Sequence, residues 1–176
     1  MSREYETKIL DVDVELVEKR LLELGARFEG ELFFRRYVFD IEKNEEWVRL
    51  RTDGKRTTIT YKKRENTSIG GTIEHEIVVD DFEKSYEILS RLDFKNVYYQ
   101  ENKRRVFVLD GIEFSFDFWP KIPALLEVEG KNKEDVEKGL QLIGFEGKDI
   151  GDVSFVKVYE RYGIKLNDEI SLKFEE

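Results

Sequence analysis

The chain is predicted to be an α+β protein, an eight-stranded antiparallel β-barrel with flanking helices. Three observations lead there. Strand-like segments outnumber helical ones and follow one another as hairpin neighbours, in the order βα-ββββ-α-βββ-αα, which favours antiparallel pairing. Almost every strand alternates an apolar face with a charged one, as side chains at a period of two must. Helices can cover only the apolar face, so the charged face meets solvent or itself. A twisted sheet of about eight strands tends to curl and close.

The elements follow in order. Arg3 to Leu10 alternates Glu4, Glu6 and Lys8 against Tyr5, Thr7 and Ile9, a strand pattern. Asp11 or Asp13 caps a helix on which Val14, Leu16, Val17, Leu21 and Leu24 recur at helical spacing, and Gly25 stops it. Ala26 to Asp40 reads as strand. Glu45 to Thr52 and Arg56 to Lys63 form a hairpin turning at Asp53-Gly54. Arg64 to Gly71 is a polar loop and Thr72 to Val79 a strand. Phe82 to Leu92 is an amphipathic helix. Strands at Lys95 to Leu109 and Ile112 to Phe118 turn at Asp110-Gly111. Trp119 to Pro123 is a rigid corner before the strand Ala124 to Glu129. Lys133 to Ile143 is a helix ended by Gly144, and Ser154 caps a short one ending at Gly163. The tail from Lys165 to Glu176 reads as either an extra strand or a flexible end.

Composition narrows the function. The chain has 176 residues and no Pro- or Ser-rich linker, which fits one domain over 1–176. A net charge of −9 argues against nucleic-acid and anionic-membrane partners. A chain this acidic that binds a polyanion must gather its cations locally and recruit a metal. The absence of cysteine removes disulfides, thiolate zinc sites and thiol nucleophiles. Neither a signal-like start nor a bilayer-length apolar run is visible, so a cytoplasmic location is expected.

The charged faces carry the chemistry. They present Glu4, Glu6 and Lys8; Arg49 and Arg51; Thr58, Thr60 and Lys62; Glu74 and Glu76; Lys103 and Arg105; Glu113, Ser115 and Asp117; Glu127 and Glu129. Closure would place these acids and bases in one cavity, with Val106 and Val108 on the opposite, packed face. Arg forks and Lys point charges suit phosphate oxygens, and carboxylates suit a hard divalent cation. A metal beside a polyphosphate explains why both signs coexist. Arg35, Arg36, Lys63, Arg64 and Arg104 are expected in solvent, with Arg35 on the face of Tyr37 and able to line a tunnel mouth, and His75 is turned away from the cavity by its alternation with Glu74 and Glu76. Trp119 and Pro120 read as structural, with Trp119 able to cover an opening.

The start Glu4-x-Glu6-x-Lys8 resembles the signature of the CYTH family, the triphosphate tunnel metalloenzymes. The resemblance extends through Arg49-x-Arg51, Thr60-Tyr61-Lys62, Glu74-x-Glu76, Lys103-x-Arg105, Asp117 and Glu127-x-Glu129. Val158-Tyr159-Glu160-Arg161-Tyr162-Gly163-Ile164 is similar to the short branch that includes class IV adenylyl cyclases. The resemblance implies an eight-stranded tunnel in which Lys8, Arg49, Arg51, Lys62, Lys103 and Arg105 bind a triphosphate. It implies that Glu4, Glu6, Asp117, Glu127 and Glu129 hold Mg²⁺ or Mn²⁺, with Glu74 and Glu76 completing the lining. Glu4, Glu6 and Lys8 are the expected catalytic group. One departure stands out: the family often carries Arg two residues before the central Glu pair, where this chain has Thr72.

Three activities fit these residues. A hydrolase would direct water at a metal-bound triphosphate, and this reading is preferred. A class IV adenylate cyclase would drive the ATP 3′-hydroxyl onto the α-phosphate and release pyrophosphate. A binding module would capture polyphosphate or nucleotide without turnover. The sequence is silent on oligomeric state, with a homodimer left open.

Overall fold

The computed structural model describes residues 2–41, 45–166 and 171–175. Along the chain run β1 (Ser2–Ile9), α1 (Val14–Glu23), β2 (Arg27–Asp40), β3 (Glu46–Thr52), β4 (Thr57–Arg64) and β5 (Thr72–Val79). They are followed by α2 (Phe82–Leu89), β6 (Asn96–Leu109), β7 (Ile112–Phe118), β8 (Leu125–Gly130), α3 (Lys133–Ile143) and α4 (Phe155–Arg161). The eight strands close into a barrel in the order β1-β5-β4-β3-β2-β6-β7-β8, as the alternation predicts. Every strand pair in it is antiparallel. No described helix is long and apolar enough to cross a membrane.

Local chemistry sets the boundaries. The Asp13 carboxylate accepts the Leu16 N–H to cap α1, and Gly25 leaves the helix at φ +88°. Asp110 and Gly111 both take positive φ, 54° and 79°, the signature of a two-residue hairpin turn with Leu109 facing Ile112. That register decides which face of β6 looks inward. Helix α2 stops at Leu89 rather than Leu92, because its last turn tightens into bonds from Arg91 to Ile88 and Leu92 to Leu89. The tail is neither a full strand nor loose where it is described. Leu172 makes one parallel bridge to Gln100 and is 1% exposed, while 167–170 and 176 lie outside the described residues.

The apolar residues pack outside the barrel wall. The largest cluster joins Val17 and Leu21 of α1 and Val136 and Leu140 of α3 to Phe107, Phe114, Phe116, Leu126 and Val128 of the sheet. Helix α3 approaches closely through Gly139, where an added Cβ would sit 2.8 Å from Val128 Cγ1. A second cluster of Trp119, Leu125, Val153, Val158, Tyr159 and Leu172 seats α4 at one end of the barrel. A third, Phe39, Leu50, Phe82 and Leu89, lies under α2.

Phe114 is fully buried where both covering helices meet the sheet. Phe114→Ala is expected to cost about 3–5 kcal/mol of unfolding free energy, read from a urea titration. A loss under about 1 kcal/mol would mean that the helices do not form one core with the barrel.

Candidate active site

The polar face of the sheet turns inward. Glu4, Glu6, Lys8, Arg49, Arg51, Lys62, Glu74, Glu76, Glu127 and Glu129 all line one cavity of about 660 Å³. Asp117 shares that face but lies fully buried beneath it, its carboxylate taken by Arg104 and by Asn102 Nδ2 at 2.7 Å. Glu113 also lines the cavity. His75 is on the outer surface, its ring 6.2 Å from that of Tyr61.

Lys103 and Arg105 do not join this group, which corrects the expectation for both. Arg105 bonds Glu31 at 2.9 Å and Glu18 at 3.1 Å on the outside, and Lys103 is exposed with Nζ 5.2 Å from the Phe174 ring. The cause is register. Residues directly opposite in an antiparallel pair share a face, and the Asp110-Gly111 turn sets Arg104 against Asp117 and Arg105 against Phe116. Asp117 facing inward therefore carries Arg104 inward. The turn and Asp117 were both visible in the sequence, so this signal was available. Val106 and Val108 consequently line the far end of the tunnel with Leu32 and Phe34, around a cavity of about 520 Å³.

Arg36, Arg64 and Arg104 are likewise corrected: all three line the cavity rather than solvent. Arg36 shares a face with Phe34 and Val38, so its strand carries no run of charges to announce it. Arg35 remains exposed on the outer face, and Lys63 is exposed as well. Asp152, 2% exposed, is an addition with no strand pattern to reveal it, since it arrives from the segment between α3 and α4. Trp119 is buried in the core cluster at the α4 end, its ring 3.9 Å from that of Phe155 and 4.7 Å from the Arg36 guanidinium carbon.

The two signs are unevenly distributed around the barrel. On the β2–β3 side Arg36 stands directly across from Arg51, and Arg49 adds a third guanidinium. Like charges directly opposite destabilise a sheet. Arg36 bonds Asn102 Oδ1, Arg49 reaches Thr60 Oγ1 at 3.4 Å and Glu76 at 3.9 Å, and Arg51 rests 4.6 Å from the Phe34 ring centre. The Nε atoms of Arg36, Arg49 and Arg64 are buried without a hydrogen-bond partner among the described residues. Burial, then Arg49 and Arg51, holds Arg36 well below the usual arginine range. Repulsion from Arg49, then burial, lowers Arg51 to about 9. Crowded, partly dehydrated guanidinium groups of this kind are electrostatically suited to an anion.

The β1–β8 side is the reverse. Glu6 faces Glu129 across the strands, and Glu129 faces Glu113 on β7. Dehydration within the tunnel, then Glu6 and Glu4, pushes the Glu129 carboxyl up to about 8, although the residue remains open to tunnel water. Burial and Glu6 raise Glu4 despite Lys62 Nζ at 2.6 and 2.7 Å from its oxygens. Lys8 Nζ sits among three carboxylates, bonded to Glu6 with Asp152 at 3.2 Å and Glu127 at 3.5 Å. Glu127 is held below its usual value: burial opposes this, but the Arg104, Lys8 and Lys62 charges outweigh it and Glu6.

These carboxylates fit a hard divalent cation. Oxygens of Glu4, Glu6 and Asp152 lie within 4.8 Å of one another. The donors are all oxygen, the set Mg²⁺ and Mn²⁺ prefer. Burial first, and neighbouring carboxylates second, raise Glu4 and Glu129, an environment that a bound cation would favour in its ionised form.

Comparison with known proteins agrees with this geometry. The family model described as the CYTH domain matches residues 2–150. A protein of Methanocaldococcus jannaschii, provisionally named an adenylate cyclase, is 28% identical over 141 residues, covering 77% of this chain and 80% of its own. The structure of the PH1012 protein of Pyrococcus horikoshii superposes with TM-score 0.76 at 23% identity, covering 88% of this chain and 98% of that one. A Hippeastrum protein provisionally named an adenylyl cyclase and described as having a dominant triphosphatase activity superposes with TM-score 0.63 at 17% identity. That match covers 94% of this chain and 99% of the other.

The Glu129 shift gives a pH test. Its folded value, about 8, lies above the reference 4.5. Below pH 4.5 the carboxyl is protonated in both states and costs nothing. As pH rises from there toward 8 the unfolded chain ionises first, so this group lowers stability progressively. Metal-free Glu129→Gln should therefore unfold at a higher temperature than the parent at pH 8–9 and at the same temperature near pH 4. Equal midpoints at both ends of a thermal-melt pH series would contradict the crowded acid wall.

Proposed function

Because the chain belongs to the CYTH domain family, we propose that it is a metal-dependent triphosphate-processing enzyme whose reaction is hydrolysis of a triphosphate held in the tunnel. One observation carries this reading: an arginine wall of Arg36, Arg49 and Arg51 faces a carboxylate wall of Glu4, Glu6, Glu127 and Glu129 across one cavity. Lys62, Lys8 and Arg104 pair with Glu4, Glu6 and Glu127, Glu76 stands 3.9 Å from Arg49, and Arg36 and Arg51 face each other directly.

In this reading Arg49, Arg51 and Arg36 grip phosphate oxygens, and guanidinium forks suit that geometry. Lys62 and Lys8 reach the chain from the acid side, each already oriented by carboxylates. Glu4, Glu6, Glu127 and Glu129 would hold Mg²⁺ or Mn²⁺, and Asp117, now bonded to Arg104 and Asn102, would join them if Arg104 passed to a phosphate. The bound metal neutralises charge that develops on the transferring phosphoryl group. A carboxylate of this wall would take the proton of the attacking water. The water oxygen bonds to a terminal phosphorus, the bridging P–O bond breaks, and the departing oxygen keeps that electron pair. Arginines at the bridging oxygens stabilise it without needing to give up a proton.

Cyclase chemistry is the second reading. Trp47 and Tyr98 line the α4 mouth of the cavity and offer aromatic faces on which a base could stack. The same tunnel would then align the ribose hydroxyl with the α-phosphate.

Incubation with ATP, thiamine triphosphate and tripolyphosphate, each with Mg²⁺, Mn²⁺ or EDTA, separates these readings. The expected result is orthophosphate from tripolyphosphate, abolished by EDTA. Cyclic AMP and pyrophosphate from ATP would establish the cyclase instead. Binding without turnover would leave a capture module. Glu4→Ala and Glu127→Ala should each lower kcat by roughly a hundredfold or more. Arg51→Ala should mainly raise KM, by about tenfold. Full activity in both carboxylate variants would sink the site.

A further inference from the structure

Near the α4 end of the tunnel, Arg64 and Thr72, to which the roles above give no part, meet at Asp152. Arg64 on β4 and Thr72 on β5 are direct cross-strand partners, so side chains from either position reach the same volume. Thr72 is 1% exposed and its hydroxyl donates to the Asp152 carboxylate. Arg64 lines the cavity with Nη2 3.3 Å from Asp152, Nη1 2.9 Å from Glu45, and its guanidinium carbon 4.9 Å from the Trp47 ring centre. Its Nε is buried and has no partner among the described residues.

The segment that brings Asp152 is anchored firmly. Ile150 N–H donates to Lys8 O at 2.8 Å, Asp152 N–H to Thr67 O at 2.9 Å, and Thr7 Oγ1 to Asp149 at 2.7 Å. Gly151 has φ +74°, and a Cβ there would lie 2.2 Å from Thr67 O, so the chain passes only as glycine. Asp152 is thereby built into the tunnel wall, where one of its oxygens touches both Lys8 and Arg64.

We propose that Arg64 is a substrate-positioning cation of this tunnel, supplied from β4 at the level where β5 carries only threonine. In this arrangement Asp152 is the positioning residue that holds Arg64 and Lys8 at the height of the phosphate chain. The inference rests on the triphosphate reading above. A purely structural ion pair would satisfy its donors, since an unmade buried hydrogen bond is costly. Here Nε is left over beside the cavity, and the second partner, Glu45, is an exposed turn residue at φ +61° that can let go. A phosphate oxygen would complete the guanidinium's set.

The test is calorimetric binding of tripolyphosphate in Mg²⁺ together with the ligand-free unfolding midpoint. Arg64→Thr should weaken tripolyphosphate binding roughly tenfold or more, with Asp152→Asn losing less. The swap Arg64→Thr with Thr72→Arg should recover most of the affinity, because it returns a guanidinium to the same volume from the neighbouring strand. If Arg64→Thr does not fold, Arg64→Lys keeps the charge without the fork and should lose roughly threefold. A lowered midpoint with unchanged affinity in Arg64→Thr would make the pair structural and overturn the proposal. A folded swap variant that binds no better than Arg64→Thr would overturn the cross-strand replacement. Arg51→Ala is the control: if it binds weakly while Arg64→Thr binds fully, this inference alone falls. If Arg51→Ala also binds fully, the triphosphate reading falls with it.

Discussion

Burying like charges opposite one another is the constraint from which the rest of this structure follows. A strand pair that sets Arg36 across from Arg51, or Glu6 across from Glu129, works against its own pairing. Eight strands closed around such pairs cannot relieve them by turning outward, because a one-residue slip would also carry the packed apolar face inward. The barrel is stable because its apolar residues lie on the other face, beneath α1, α2 and α3. The interior is free to be electrostatically tense. That tension suits each wall to a ligand of opposite sign, an anion at the arginines and a cation at the carboxylates, which is what the proposed function uses.

Lysines and Arg104 divide the two walls. Lys62 bonds Glu4, Lys8 is shared among Glu6, Glu127 and Asp152, and Arg104 bonds Asp117 and Glu127. These pairs keep the carboxylates oriented inward. A metal and a polyphosphate would redistribute the same contacts, with carboxylates passing to the metal and cations to the phosphate. The site is therefore preorganised in position and rearranged in partnership, which limits the conformational change that binding requires.

Much of this was legible in the sequence, and the failures have specific causes. Alternation in β1, β3, β5 and β8 read correctly because each carries two or more charges at a spacing of two. On β6, Lys103, Arg104 and Arg105 are consecutive, so composition cannot say which face is inner. Taking Val106 and Val108 as the packed face chose wrongly, whereas pairing β6 to Asp117 through the Asp110-Gly111 turn decides for Arg104. Arg36 is isolated among Phe34 and Val38, so its burial depends on its cross-strand neighbours alone. Asp152 lies in irregular chain between two helices, where only the Gly151 passage and the bonds to Lys8 and Thr67 place it.

The central claim is that the two walls are destabilised separately and relieved together. Thermal unfolding with tripolyphosphate alone, Mg²⁺ alone and both measures this directly, since a ligand raises the midpoint by binding the folded state. Each ligand should raise the midpoint by itself. Together they should raise it by more than the sum of the two shifts, because each removes charge that opposes the other. Shifts that fail to appear, or that cancel when the ligands are combined, would contradict a tunnel built to hold a metal beside a triphosphate.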